Sequence, residues 1–221
     1  MNSVVIGLTG QSGAGKTTVS RVFSENGFSV INADTAAREA VVAGSPCLRE
    51  LSEAFGRDII LPDGSLDRKK LAGIVFADSE RLAVMNSIMY PHIIRLIEEK
   101  IEKLRSEGAE YILLDAPTLF EAGADKMCSR IISVTAREDI RTERIAARDK
   151  IPRERIKERF SSQLSEEFFT AHSDYVIENN GSSETLEKKA AEAARKIKEY
   201  SENDNTDSFP EASDNGSPGR P

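Results

Sequence analysis

Short runs of consecutive apolar residues recur along the chain, and each has the length of a β-strand that is buried on both faces. Between the first two runs, apolar residues at helical spacing predict a helix over 17–26, which Gly27 ends. The order strand, loop, helix and strand predicts a parallel sheet with a right-handed crossover, and therefore an α/β fold. The predicted strands are residues 4–8, 28–31, 111–115, 130–134 and 175–177.

The stretch from 45 to 107 differs from the rest because its pattern contains no convincing parallel strand. It predicts helices over 46–55, 67–77 and 79–105, the last of which is broken or kinked at Pro91. We interpret this stretch as a mainly helical insertion in the sheet domain. A closing helix is predicted over about 182–200.

Composition favours one globular domain that is followed by an acidic tail. The 221 residues, 39% hydrophobic and 30% charged, suffice for one domain with a substantial core. Of the net charge of −7, −4 lies in residues 201–221 and −3 in the rest. The tail is rich in Ser, Asn, Asp, Pro and Gly and is predicted to be disordered. The acidic balance argues against nucleic-acid binding.

Cysteine usage and hydropathy bear on the location of the protein. Cys47 and Cys128 are too few for a disulfide framework, and neither has a CxxC partner. The N-terminus lacks the pattern of a signal peptide, and no stretch reaches the apolar length of a membrane span. We therefore expect a cytoplasmic protein without a membrane partner.

The strongest motif is Gly10-Gln11-Ser12-Gly13-Ala14-Gly15-Lys16-Thr17, which fits the P-loop pattern and lies between the first predicted strand and helix. Its glycines let successive N–H groups point at phosphate oxygens, and the helix N-terminus adds partial positive charge. Lys16 is expected at the β- and γ-phosphates, and the Thr17 hydroxyl at Mg²⁺. The motif thus predicts ATP and Mg²⁺ as cofactors. The predicted binding residues are Gly13, Ala14, Gly15, Lys16, Thr17 and Thr18.

Three function classes share this motif: a switch GTPase, a small-molecule kinase and a nucleotide-binding regulator. GTPases read guanine with Asn-Lys-x-Asp and sense the γ-phosphate with Asp-x-x-Gly, and this chain has neither. A regulator without transfer activity needs no catalytic carboxylate, whereas Asp34 supplies a candidate for one. The motifs therefore favour a phosphotransferase that acts on a small acceptor.

Four arginines, Arg137, Arg141, Arg144 and Arg148, follow one stripe of a helix. Arg144 and Arg148 have no acid three or four residues away, so helical ion pairs do not explain them. Residues 141–159 contain eight bases and four acids, a net +4 inside an acidic protein. We interpret this segment as a mobile lid whose arginines bind phosphates, with Arg144 and Arg148 as binding residues. A solvated surface face is the alternative.

Two carboxylates end predicted strands, at the edge where parallel sheets place their ligands. Asp34 can orient an acceptor hydroxyl and take its proton, although Asp is also a good N-cap for a helix over 35–42. Asp115 stands where P-loop folds have an acid that acts on Mg²⁺ or its waters, and a hydrogen-bonded strand end is the alternative. Asp34, Lys16 and Arg144 are the predicted catalytic residues.

Several short segments, taken in order, resemble the dephospho-CoA kinase family from about Val4 to Gly181. They are Gly7-Leu8-Thr9-Gly10, Asn32-Ala33-Asp34, Asp63-Gly64-Ser65-Leu66-Asp67-Arg68, Pro117-Thr118-Leu119-Phe120-Glu121, Arg144, Arg148-Asp149, Gln163 and Asp174-Tyr175-Val176-Ile177-Glu178-Asn179. Three positions depart from the family pattern. Gln11 replaces a glycine, Tyr90 replaces the usual His, and Thr118 replaces Leu.

The resemblance implies a P-loop NTPase three-layer fold with a five-stranded parallel sheet, a helical substrate-binding insertion and a helical lid. It implies ATP-dependent phosphorylation of the ribose 3′-hydroxyl of dephospho-CoA, with Asp34 as the acceptor-side base and Arg144 at the phosphates. Another small-molecule kinase, of the nucleoside monophosphate type, is the alternative, and a monomer or weak homo-oligomer is expected. One kinase domain is expected over 1–200, with a core over about 1–44, 108–140 and 173–200, a substrate region over about 45–107, a lid over about 141–172, and then the tail.

Overall fold

The computed structural model of the chain describes residues 3–76 and 78–202. These residues form two compact units. The first unit runs up to Ile31 and resumes at Leu104, and the second unit is Asn32–Lys103. The predicted disordered tail lies outside the described residues from position 203 onward.

Helices and strands alternate in the first unit, whereas the second unit is helical. The helices are α1 (Lys16–Glu25), α2 (Ala33–Ala40), α3 (Pro46–Phe55), α4 (Arg68–Val75), α5 (Ser79–Ser106), α6 (Glu138–Asp149), α7 (Arg153–Ser161), α8 (Glu166–His172) and α9 (Ser183–Glu202), with 3₁₀ turns at Arg57–Ile59 and Ala124–Met127. The strands are β1 (Val4–Gly10), β2 (Ser29–Asn32), β3 (Tyr111–Asp115), β4 (Arg130–Thr135) and β5 (Tyr175–Glu178).

The five strands form one sheet in the order β2-β3-β1-β4-β5. Strand β1 is parallel to both of its neighbours, so that Leu8 lies opposite Asp115 of β3 and Ile132 of β4. Strand β5 is parallel to β4. The order of strands requires crossovers between them, as expected for helices that connect parallel strands. The predicted α/β fold with a five-stranded parallel sheet is confirmed.

The core of the first unit fixes α1 behind the end of β1. Apolar side chains of the sheet pack with one face of α1 and with α9 in a single buried cluster. The contact face of α9 is lined by small side chains, which let the helix pack closely. The principal members are Ile6, Leu8, Leu113, Ile132, Val134, Val19, Phe23, Ala190, Ala193, Ala194 and Ile197.

In the second unit, α5 is one uninterrupted helix with Pro91 in its interior, so of the two outcomes predicted at Pro91 the break is wrong and the kink stays a prediction. A proline inside a helix forfeits one backbone hydrogen bond and crowds the preceding turn. Beyond it, Ile93, Ile97 and Ile101 recur every four residues and are all buried. Packing of this apolar stripe outweighs the local cost of the proline. None of the helices within the described residues combines the length and apolar character that a bilayer crossing requires.

Candidate active site

The loop between β1 and α1 is shaped by two glycines whose neighbours leave no room for a side chain. Gly10 has a φ of +133°, and a Cβ there would lie 2.2 Å from the Val134 carbonyl oxygen. Gly15 has a φ of +110°, and a Cβ there would lie 2.6 Å from Asn179 Nδ2. A side chain at either position would meet both backbone strain and a steric clash, so these glycines of the motif are required by local geometry.

The N-terminus of α1 is open to an anion. Gly15 is its N-cap, no side chain caps it, and its first turn contains no acid. The first N–H groups of a helix have no partner within the helix, and they form its positive end. Lys16, Thr17 and Thr18 occupy this first turn, and Lys16 Nζ donates a hydrogen bond to the Gly10 carbonyl over 2.9 Å. Donors and positive charge thus converge where the motif predicts a phosphate, and the loop fits an ATP phosphate chain.

Residues 117–121 connect this region with α8. The ring of Phe120 packs edge-on against Phe168 of α8, with 5.2 Å between ring centroids. Partial burial raises the pKa of the Glu121 carboxyl, and its own backbone hydrogen bond and then the positive charge of Lys16 oppose this rise. The segment that the sequence singled out therefore belongs to the surroundings of the P-loop.

Asn179, directly after β5, links the P-loop to Arg144 of α6. Its Nδ2 donates to the Ala14 carbonyl over 2.7 Å. The Arg144 guanidinium donates to the Asn179 carbonyl at 3.1 Å, to Asn179 Oδ1 at 3.3 Å and to the Gly181 carbonyl at 3.3 Å. Asn179 is only 5% exposed, so both hydrogen bonds of its side chain are shielded from water. The structure therefore brings predicted residues Ala14 and Arg144 to one buried amide.

The other arginines of the stripe have different surroundings. Arg148 has no acid three or four residues away, but its guanidinium pairs with the adjacent Asp149 over 2.7 Å. Asp149 also pairs with Arg159 over 2.9 Å, and hydrogen bonds from Arg148 and then Arg159 lower the pKa of its carboxyl to about 2. Arg141 is buried and lies over the Phe160 ring, 4.2 Å from its centroid. Burial lowers the pKa of Arg141. The regular stripe therefore contains three distinct environments.

Asp34 lies in the first turn of α2, in the second unit, and its side chain is exposed. The helix begins at Ala33 rather than at 35, and its N-cap is Asn32, whose Oδ1 accepts from the Thr35 N–H over 2.9 Å. The interpretation of Asp34 as the N-cap is therefore wrong. Within the described part of its own unit, the Asp34 carboxylate has no hydrogen-bond or ion-pair partner. Because Asn32 caps the helix, the Asp34 carboxylate is not needed as its N-cap.

Asp115 ends β3 in the first unit and is 7% exposed. Its main chain is held in register beside Leu8 of β1, two residues before the P-loop glycine Gly10. An acid at the carboxyl end of a central parallel strand lies at the edge where such sheets bind ligands. The position of Asp115 along the sheet is therefore compatible with its predicted role beside the P-loop.

Comparisons with known proteins agree with this geometry. The family model described as dephospho-CoA kinase matches residues 4–185. The chain belongs to the dephospho-CoA kinase family. Its relatives include the dephospho-CoA kinase of Carboxydothermus hydrogenoformans, 39% identical over 82% of this chain and 88% of that protein. The dephospho-CoA kinase of Fusobacterium nucleatum is 40% identical over 86% of this chain and 96% of that protein.

Two solved structures share the fold. A crystal structure of a Thermus thermophilus protein superposes with a TM-score of 0.75 at 31% identity, covering 89% of this chain and 99% of that one. The dephospho-CoA kinase from Campylobacter jejuni gives a TM-score of 0.68 at 24% identity over 89% of this chain and 98% of that one. Membership in the dephospho-CoA kinase family confirms the predicted enzyme class and disfavours the nucleoside monophosphate kinase alternative.

Sequence reasoning assigned no role to two residues that contact the loop, Asn179 and Gln163. Gln163 lies just after α7, and its side chain makes two hydrogen bonds with Ser12. Asn179 and Gln163 do appear in segments that resemble the dephospho-CoA kinase family, and this is the signal that singles them out in the sequence. Their contacts join residues more than 150 positions apart, which no local pattern reveals.

Proposed function

We propose that this chain transfers the γ-phosphoryl group of Mg-ATP to the ribose 3′-hydroxyl of dephospho-CoA, with CoA and ADP as products. The observation that carries the proposal is the match of the dephospho-CoA kinase family model to residues 4–185, which include the whole P-loop, Asp34 and Arg144. A cytoplasmic location and a monomeric or weakly associating chain belong to the same proposal.

The P-loop residues hold the phosphate chain of ATP in this proposal. The open N-terminus of α1 and the backbone of the P-loop supply N–H donors, of which those of Ala14 and Thr18 now donate to the Gln11 and Gly15 carbonyls. Lys16 moves its ammonium group from the Gly10 carbonyl to the phosphates. The Thr17 hydroxyl is the proposed protein ligand for Mg²⁺, and Asp115 is proposed to act on the metal or its waters. Bound Mg²⁺ supplies charge neutralisation at the phosphates.

Arg144 is the proposed cation for the charge that develops on the transferred phosphoryl group. Its three hydrogen bonds to Asn179 and Gly181 orient the guanidinium without neutralising it, since all of the acceptors are uncharged. A positioned and unneutralised guanidinium stabilises developing negative charge more than one already paired with a carboxylate. Arg148, which pairs with Asp149, is proposed to bind phosphate oxygens in a secondary role.

Asp34 is the proposed base that orients the acceptor hydroxyl and takes its proton. Asn32 performs the capping of α2, and this leaves the Asp34 carboxylate available. A carboxylate that accepts the proton as the hydroxyl attacks typically contributes about 10²- to 10⁴-fold to the rate.

The direct test is to incubate the purified chain with Mg-ATP and dephospho-CoA and to quantify ADP and CoA. We expect turnover, and a loss of about 10²-fold or more in kcat for Asp34→Asn with unchanged affinity for Mg-ADP. Asp58→Asn is the matched control, because Asp58 lies in the same unit and forms only a solvent-exposed pair with Lys70. Equal turnover by Asp34→Asn, or phosphorylation of nucleoside monophosphates in place of dephospho-CoA, would contradict the proposal.

A further inference from the structure

A reciprocal hydrogen-bonded pair joins the predicted lid to the tip of the P-loop. The Ser12 main-chain N–H donates to Gln163 Oε1 over 3.2 Å. Gln163 Nε2 in turn donates to Ser12 Oγ over 2.7 Å. The side-chain amide of Gln163 thus bonds both the backbone and the side chain of Ser12. Such two-point contacts fix orientation as well as distance.

The turn that carries Gln163 is itself anchored. Ser162 is the C-cap of α7, and the Gln163 main-chain N–H donates to the Phe160 carbonyl over 3.1 Å. The Ser162 hydroxyl donates to the Arg159 carbonyl over 3.0 Å. The Gln163 side chain therefore projects from a hydrogen-bonded helix end, so a movement of α7 is transmitted to Ser12.

The space beside this pair is a polar cavity rather than packed apolar surface. The cavity has a volume of about 530 Å³ and is lined by residues of the P-loop, α6, α7 and the turn before α8. Gln11 and Arg141 line it and are 5% and 6% exposed. Among the described residues, Gln11 Oε1 and Arg141 Nε have no hydrogen-bond partner. These two buried polar atoms make no hydrogen bond across the cavity, whereas the Gln163–Ser12 pair does.

We propose that Gln163 is a positioning residue that couples the predicted lid to the P-loop. While the pair is formed, Ser12 is held in place. The N–H groups of the residues that follow it then keep the orientation that binds phosphates. When α7 moves away, Ser12 is released and the loop loses this support. Order in the lid and nucleotide affinity in the P-loop are therefore linked, although Gln163 need not touch the nucleotide.

The test is a double-mutant cycle with Gln163→Ala and Ser12→Ala, read out as Mg-ADP affinity by titration calorimetry. We expect Gln163→Ala to weaken binding about fivefold, the factor that one neutral hydrogen bond supplies. Ser12→Ala should weaken wild-type binding but add nothing in the Gln163→Ala background, because its partner is then gone. Ser161→Ala is the matched control and should bind normally, because the exposed Ser161 hydroxyl donates to the Glu158 carbonyl within α7 over 2.9 Å.

Hydrogen exchange supplies a second readout that loss of stability would not imitate. In Gln163→Ala, amide exchange should accelerate at Ser12 and neighbouring P-loop residues, while the denaturant midpoint of global unfolding stays nearly unchanged. Unchanged exchange in the P-loop, or additive effects of the two substitutions on Mg-ADP affinity, would overturn the proposal. Neither measurement uses the acceptor, so both remain informative if dephospho-CoA proves not to be the acceptor.

Discussion

Helix α1 of the first unit and helices α2, α3 and α4 of the second unit begin in opposite ways. In the second unit, α2, α3 and α4 each begin with a side chain that accepts a hydrogen bond from the first turn, from Asn32, Ser45 and Asp67 respectively. In the first unit, α1 begins with Gly15, and no side chain caps it. Capped helices satisfy their own N–H donors and are complete without a ligand. The open start of α1 leaves its donors for an anion, so the difference marks where the chain gives up local stability for binding.

The largest expected effect comes from removing the charge at the open helix start. We expect Lys16→Met to lower kcat by about 10³-fold, since it deletes the ammonium group that meets the phosphates while the helix remains. The thermal midpoint should change little, because Lys16 is only partly buried. Steady-state kinetics with thermal unfolding of the same samples checks this. A kcat within tenfold of wild type would mean that the open start does not serve catalysis.

The next effect separates two arginines of one helix. We expect Arg144→Ala to lower kcat by about 10²-fold, because its guanidinium is held by neutral acceptors alone. Arg148→Ala should lower kcat less than tenfold, since Asp149 already neutralises that charge. Kinetics at saturating ATP compares the two variants directly. Equal losses would show that pairing with Asp149 does not distinguish them.

At a helix start that is capped by a side chain, a substitution should lower stability rather than kcat. Ser45→Ala removes the oxygen that accepts from the Leu48 N–H over 3.2 Å. We expect a loss of about 1 kcal/mol in the free energy of unfolding, with kcat within twofold of wild type. Urea unfolding and kinetics measure the two quantities, and Ser52→Ala within the same helix is the control. A large fall in kcat would remove the contrast between the two kinds of helix start.

The smallest effect concerns acid pH and Asp149, a carboxylate that holds structure rather than ligand. Its pKa is lowered from 3.8 to about 2, so the stability from its pairs with Arg148 and Arg159 is present above about pH 4. This contribution is lost as the pH falls toward 2. We therefore expect Asp149→Asn to be less stable than wild type at pH 5 and to approach it near pH 2. Thermal unfolding at both pH values checks this, and a constant difference would contradict it.

Local pattern was sufficient for the strands, for α1 and for the P-loop, because each depends on neighbouring residues. It was wrong about a break at Pro91, where the buried isoleucines that follow sustain the helix despite the proline. It was also wrong about the alternative role of Asp34 as a cap, since Asn32 and Asp34 are both good caps and only the backbone shows which of them is used.

Contacts between distant positions explain the rest of what the sequence left undetermined. The Gln163–Ser12 pair joins residues 151 positions apart, and the Asn179–Ala14 bond joins residues 165 apart. Neither spacing corresponds to a helix or strand period, so only the folded chain brings these atoms together. The ion pair of Arg148 was missed for the opposite reason, because its partner is the adjacent residue Asp149. The rule for helical ion pairs considers only residues three or four positions apart.

The bond from Asn179 to Ala14 has a consequence for synthesis. The P-loop leaves the ribosome early, but the side chain that holds it follows 165 residues later. A nascent chain therefore carries the binding motif for most of its synthesis without the group that braces it. The nucleotide site of this protein therefore gains this brace only after Asn179 has been translated.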